Sequence, residues 1–365
     1  MKKYLQKFSS GPMRLLAAAV VSLILVGIVA LSTGHMDKGH SREGLYYQVT
    51  GLRPDAEVMR INGETITVEE YLYWIATDCN YLVNYGGVTD LNSPLTEEMT
   101  YADYIRSDVL VTLRLYGAVR SWAEQNDVSL TETQAAELAA QRSSYIEYYG
   151  SEEAYLQQLA LLGISEECFD RINATPYLYS SMVEAYADPD NALYPGDEAV
   201  RAYAKAQGLM TADVLYLTAE PEWDEDEKQE KEDAFTTYGE KLRTAGARQD
   251  SVQEEMVTLL DGVDRQTLTF TLTEGDPIAE TAAALEVGQV SDTVKNGDSL
   301  YIVIRRETDM TEVCAQYVNT LVEEKRDNAV VVFNEELYNA IDISAFFEAL
   351  SQAQQSMAGS AATAP

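Results

Sequence analysis

The sequence predicts an α+β protein, with a mainly helical domain followed by a smaller module of mixed strands and helices. Apolar residues recur at helical spacing across residues 58–197. Strand-like runs at 210–218, 266–272 and 290–306 crowd into residues 208–307, with charged helical segments between them. After residue 308 the helical pattern returns. The chain has 365 residues, 46% hydrophobic and 24% charged, which is enough for two domains with their own cores.

Residues 1–14 carry Lys2, Lys3, Lys7 and Arg14 and no acid, and residues 15–32 are almost wholly apolar. That run is close to the roughly 20 residues that span a bilayer, and the preceding positive charge keeps the N-terminus cytoplasmic. The expectation is a signal anchor over residues 1–34, with the main domain extracytoplasmic. Cleavage after Ala30, Leu31 and Ser32, giving a secreted protein, is the alternative. Residues 35–57 read as a polar tether.

Val58 to Ile61 reads as a strand, Asn62 and Gly63 as a turn, and Thr67 as a helix cap with Glu70 three residues on. Over residues 101–125, Tyr101, Ile105, Leu110, Leu113, Tyr116, Val119 and Trp122 form one helical face. Thr131 with Gln134 caps a helix to about Tyr149, and a further helix over 152–162 stops at Gly163. Ser165, Glu166 and Glu167 open a longer one, favoured by the helix dipole. Residues 187–196, with Pro189 and Pro195, form a linker, and Gly208 ends the helix that follows. The acidic stretch 223–233 lacks the glycine and terminal Glu of a calcium loop and reads as a solvated helix face. Residues 249–261 read as a helix. Beyond residue 285, Gly288 makes a turn, 290–294 a short strand, Asn296 and Gly297 a hairpin turn, and Leu300, Ile302 and Ile304 a central strand. Residues 330–341 read as helix, and the Ala-, Ser- and Gln-rich stretch 351–365 as a disordered tail.

Two segments carry a family resemblance. Ile61 to Tyr71 (INGETITVEEY) and residues 154–172 (AYLQQLALLGISEECFDRI) resemble the helical domain of SurA/PrsA-type secreted foldases. Leu285, Gly288, Val290, Ser291, Val294, Ile302 and Val303 resemble the closing motif of the parvulin-type peptidyl-prolyl isomerase domain. The resemblance implies a helical chaperone domain (58–197) completed by C-terminal helices (308–350), with the parvulin-like module (208–307) inserted between. Parvulins share two site histidines. Here Asp213 and Tyr301 stand at those positions, and the only histidines, His35 and His40, lie upstream. A glycine-rich loop of that family is reduced to Gly262 and Gly275.

The implied function is binding of unfolded or newly secreted polypeptides, with isomerase chemistry largely lost. Asp213 and Tyr301 hydrogen-bonded across adjacent strands would be the alternative, a working isomerase built on other residues. A dedicated adaptor for one envelope protein is the third reading. The 24 tyrosines concentrate in the helical part, and Tyr71, Trp74, Tyr101, Tyr104 and Tyr177 are the candidate client-binding residues. A net charge of −34 argues against nucleic acid as partner. Cys79, Cys168 and Cys314 have no metal or redox spacing, and no cofactor is expected. The sequence sets no oligomeric state.

Overall fold

The computed structural model describes residues 36–220 and 222–361. The expected anchor at 15–32 lies outside them. Among the described residues no helix is long and apolar enough to cross a membrane.

The protein is α+β. In chain order come α1 (Gly44–Thr50), β1 (Glu57–Ile61), β2 (Glu64–Thr67), α2 (Val68–Asn84), α3 (Tyr101–Gln125) and α4 (Glu132–Tyr149). Then follow α5 (Glu152–Leu162), α6 (Glu166–Ala187), α7 (Asp197–Gln207), β3 (Met210–Thr218), α8 (Glu225–Thr244) and α9 (Gln249–Leu259). The chain closes with β4 (Val263–Phe270), α10 (Pro277–Ala284), β5 (Val294–Asn296), β6 (Ser299–Arg306), α11 (Met310–Asp327), β7 (Val331–Phe333), α12 (Glu335–Ala340) and α13 (Ile343–Ala361). Contacts divide the chain into two compact units, one holding residues up to 117, 146–169 and 328 onward, the other 118–145 and 170–327. The division runs through α3, α4 and α6.

The first unit is built on an antiparallel sheet of order β2-β1-β7. Asn62 and Gly63 take φ of 54° and 92°, the left-handed pair a tight hairpin needs, and pair Ile61 with Glu64. The other edge of β1 receives β7, with Met59 opposite Phe333 and Ile61 opposite Val331. This corrects the helix expected over 330–341: its first part is strand, because Val331 to Phe333 complete the free edge of β1 before α12 begins. The Asn62 amide donates to the Val330 carbonyl at 2.9 Å, and the Val330 amide donates to Asn62 Oδ1 at 2.9 Å. Over this sheet Met59, Ile66, Tyr71, Leu72, Ile75, Ile105, Leu113, Phe346 and Leu350 form one core.

Two stretches expected to lack structure are folded. The segment read as a tether contains α1, which buries Leu45 and Tyr46. The Asp55 carboxylate accepts the His40 and Ser41 amides at 2.7 and 2.8 Å. Burial opposes its charge, but these amides hold its carboxyl below the usual range. The segment read as a disordered tail continues α13, which is anchored upstream by buried Phe346 and Leu350. Polar composition hid both, since each segment spends only a few apolar residues on the core.

Gly163 ends α5 at φ 81°, and a Cβ there would stand 2.5 Å from Tyr46 Cγ. Two residues on, the Ser165 amide and hydroxyl donate to the Glu69 carboxylate at 2.6 and 2.9 Å, which ties the start of α6 to α2.

The second unit holds an antiparallel sheet of order β4-β3-β6-β5. Leu215, Leu217, Ile302 and Ile304 pack with Phe235 and Leu242 of α8 and Val252 and Met256 of α9. The alternate residues Met210, Ala212 and Val303 pack with Ala282 of α10. Val200 and Ala204 of α7 pack with Val313 and Cys314 of α11. Thr131 and Gln134 cap α4 reciprocally: Thr131 donates its amide to Gln134 Oε1 at 3.1 Å, and Thr131 Oγ1 accepts from the Gln134 amide at 3.3 Å.

Gly163→Ala is expected to destabilise the protein by roughly 2–4 kcal/mol, because left-handed strain and overpacking against Tyr46 add. Urea denaturation checks this: the midpoint falls while the slope stays constant.

Candidate functional site

Strand β3 is the second of four strands, so Asp213 sits between two neighbours: Thr267 of β4 on one side and Ile304 of β6 on the other. The residue is 6% exposed. Asp213 Oδ1 accepts the Thr267 hydroxyl at 2.7 Å, and Oδ2 accepts Arg306 Nε–H at 2.7 Å. Arg306 Nη2 lies 2.6 Å from the same oxygen and also bonds Asp250, in the first turn of α9. Burial lowers the Arg306 pKa, but the hydrogen bonds and charges of Asp213 and Asp250 outweigh it and raise the group overall. One guanidinium thus joins β3, β6 and α9, and both Asp213 oxygens are occupied.

The alternative in which Asp213 and Tyr301 hydrogen-bond across adjacent strands is not what the register gives. Tyr301 pairs with Tyr216, and their rings stand 6.4 Å apart. Side chains alternate across a strand, so Asp213 shares a face with Leu215 and Ile304, packed beneath α8 and α9. Tyr301 lies on the opposite face with Val303. A register three residues out of step puts the sheet itself between the two groups.

The residues of the closing motif serve turns and pairing. Gly288 has φ 85°, and its amide donates to the Arg305 carbonyl at 2.7 Å. Val290 bridges Ile304, while the Ser291 amide donates to the Val303 carbonyl at 2.9 Å and Ser291 Oγ accepts the Val303 amide at 2.9 Å. The strand expected at 290–294 is therefore a side-chain-assisted bridge, and regular pairing begins at Val294.

The candidate client-binding aromatics divide. Tyr71 is fully buried and stacked on Tyr338, with ring centroids 5.6 Å apart. Burial and then the neighbouring Tyr338 push its phenol pKa up, and it is a core residue with no face for a client. Trp74, Tyr101 and Tyr104 are half-buried in the same unit, Trp74 edge-on to Tyr116 at 5.0 Å. Tyr177, half-buried on α6, belongs to the second unit. Burial, then Asp108 and Asp78, push the Tyr104 phenol up to about 12.

The open aromatic surface lies elsewhere. Tyr85 and Tyr148 are each 82% exposed, and they pair with Tyr81 and Tyr149 at 5.8 and 5.0 Å. Both pairs end a helix just before glycine: Tyr81 and Tyr85 precede Gly86 at the end of α2, Tyr148 and Tyr149 precede Gly150 at the end of α4. That position was the available signal. A pocket of about 290 Å³ in the first unit is lined by Asp103, Arg106, Asn339, Ile341 and Asp342. Its Arg106 is already committed to the Tyr338 and Ile341 carbonyls at 3.2 and 2.6 Å. Among the described residues no group of three or more His, Cys, Asp or Glu is placed to hold a metal ion.

No protein-family model matches the chain, and no curated protein matches it. Among solved structures, the chain is similar to the foldase protein PrsA from Streptococcus pneumoniae, with 16% identity and a TM-score of 0.26 over 73% of this chain and 94% of that one. It is similar to PrsA from Bacillus subtilis, with 14% identity and a TM-score of 0.26 over 71% and 90%. A third similar structure comes from the pair of SurA-like chaperones PEB4 and Cj1289 of Campylobacter jejuni, with 14% identity and a TM-score of 0.23 over 76% and 98%.

Asp213→Ala is expected to cost about 1–3 kcal/mol by leaving Thr267 and part of Arg306 unpaired. Tyr301→Phe is expected to change stability by less than about 0.5 kcal/mol. Thermal melts of both variants check this, and a large loss for Tyr301→Phe would mean its hydroxyl holds a structural bond.

Proposed function

We propose that this protein is an extracytoplasmic foldase of the SurA/PrsA type that binds unfolded or newly secreted polypeptide and has lost efficient prolyl isomerisation. The observation that carries the loss of chemistry is the state of Asp213. Rotation about an X-Pro bond faces a barrier of about 18–20 kcal/mol, and lowering it needs polar groups free to meet the twisted amide. At the first histidine position the carboxylate spends both oxygens on Thr267 and Arg306, and at the second Tyr301 lies across the sheet. The four-stranded module is then a scaffold and binding surface.

Client binding rests on the motifs at 61–71 and 154–172 and on the exposed pairs Tyr81–Tyr85 and Tyr148–Tyr149. Tyrosine presents large amphipathic area at low entropic cost, which suits varied extended chains. Trp74, Tyr101, Tyr104 and Tyr177 would extend this surface, each through the part of its ring that is open. The strongly acidic chain keeps the protein soluble and favours clients with basic character. The apolar run at 15–32 would tether it to the membrane.

Two measurements test the reading. The purified protein at equimolar ratio should delay aggregation of a chemically denatured client, and it should leave isomerisation of a short Ala-Pro peptide at the uncatalysed rate. No delay would overturn the chaperone reading, and clear acceleration would overturn the loss of chemistry. Replacing Tyr85 and Tyr148 together by Ser should weaken client affinity by roughly 5–10-fold, the effect of removing one or two aromatic contacts.

A further inference from the structure

Helices α2 and α3 face each other, with residue numbers rising along α2 as they fall along α3. Trp74 meets Tyr116 edge-on at 5.0 Å. One turn along α2 and two turns back along α3, Asp78 meets Asp108, and the two carboxyls lie within hydrogen-bonding reach. One turn further, Tyr81 stands toward Tyr104, whose hydroxyl is directed at Asp108. Two carboxyls therefore face each other in the middle of an aromatic seam. Asp78 Oδ2 is buried and has no hydrogen-bond partner.

That arrangement is untenable if both groups are ionised. Each would lose hydration, repel the other, and leave an uncompensated buried oxygen. It becomes favourable if one proton lies between them, since a protonated carboxyl donates to a carboxylate. The remaining groups do not relieve the charge. Beside Asp78 on α2 are the Cys79 thiol and the Tyr81 phenol, and on α3 the Tyr104 phenol. α13, which also packs on α2, contributes Phe346 and Leu350 to the core, and its one charged residue, Glu348, is exposed. Phe169, from the start of α6, packs on Tyr73 on another face of α2.

We propose that the α2–α3 seam is closed by a single proton shared between Asp78 and Asp108, and that it loosens when this proton leaves. Burial first, then the charge of Asp108 and the hydrogen bond to it, push the Asp78 carboxyl up to about 8, and burial raises Asp108 as well. The folded protein then keeps a proton that the unfolded chain has already released. The sign follows: stability is greatest in acid and falls as pH rises through about 8. Loosening the seam would uncover Trp74, Tyr104 and Tyr116, so alkaline conditions would present more aromatic surface. The window is otherwise quiet, because the chain has only two histidines.

The test is a set of thermal melts of the full chain between pH 6 and 9, with Asp78→Asn and Asp108→Asn as comparisons. The natural protein should lose roughly 2–4 °C of Tm per pH unit on approaching pH 8, and both Asn variants should be flat. A flat natural profile, or the same fall in the variants, overturns the proposal. If the variants do not fold, the infrared C=O stretch of a protonated carboxyl decides on the natural protein alone. It should be present at pH 7 and lost above pH 8, and its absence at pH 7 overturns the proposal.

Discussion

Strand β1 is the constraint on which the first unit depends. Its two edges are taken by β2, next to it in the chain, and by β7, which arrives after the whole second unit has been made. Asn62 and Val330, 268 residues apart, exchange two hydrogen bonds at that junction. Closing so long a loop costs conformational entropy that increases only slowly with length, and backbone pairing together with one continuous apolar core offsets it. The Asn334 amide donates to the Val58 carbonyl, so the return is held on both sides of β7. The core over β1 takes residues from α1, α2, α3 and α13 together.

In the second unit a buried acid is held by a basic partner. Asp213 is a buried acid made tolerable by Arg306 and Thr267, and Arg306 is a half-buried base made tolerable by Asp213 and Asp250. Removing one partner leaves the others desolvated, so the three side chains stabilise the fold as a unit. In the first unit the opposite solution appears. Asp78 and Asp108 share their surroundings with phenols and a thiol, and the neutral form is favoured. The surroundings of Asp213 and of the half-buried Asp78 thus differ in whether a guanidinium or a second carboxyl faces them.

The aromatic residues divide by position within each helix. Tyr71 lies on the core-facing stripe of α2 and is sealed by Tyr338, while Tyr81 and Tyr85, at the end of that helix, emerge into solvent. Tyr148 and Tyr149 do the same at the end of α4. Helix ends shed the neighbours that bury a ring, so tyrosines there keep their faces open even in a chain rich in core tyrosine.

Local patterns were enough to specify much of the protein. Asn62 and Gly63 specify a hairpin because both accept positive φ, Thr131 and Gln134 specify a cap, Gly163 and Gly208 specify helix ends, and the double-sided apolar run at 300–304 specifies a central strand. The sequence alone also shows that no histidine follows His40. Tertiary structure alone decided the rest. Residues 331–333 are strand because a partner edge is waiting for them, α1 is ordered because Gly163 leaves room for Tyr46, and Tyr301 faces away from Asp213 because strand register sets the sheet face. The facing of Asp78 and Asp108 is of the same kind: each lies on a helical face legible in sequence, but only the packing of α2 against α3 brings the two carboxyls together.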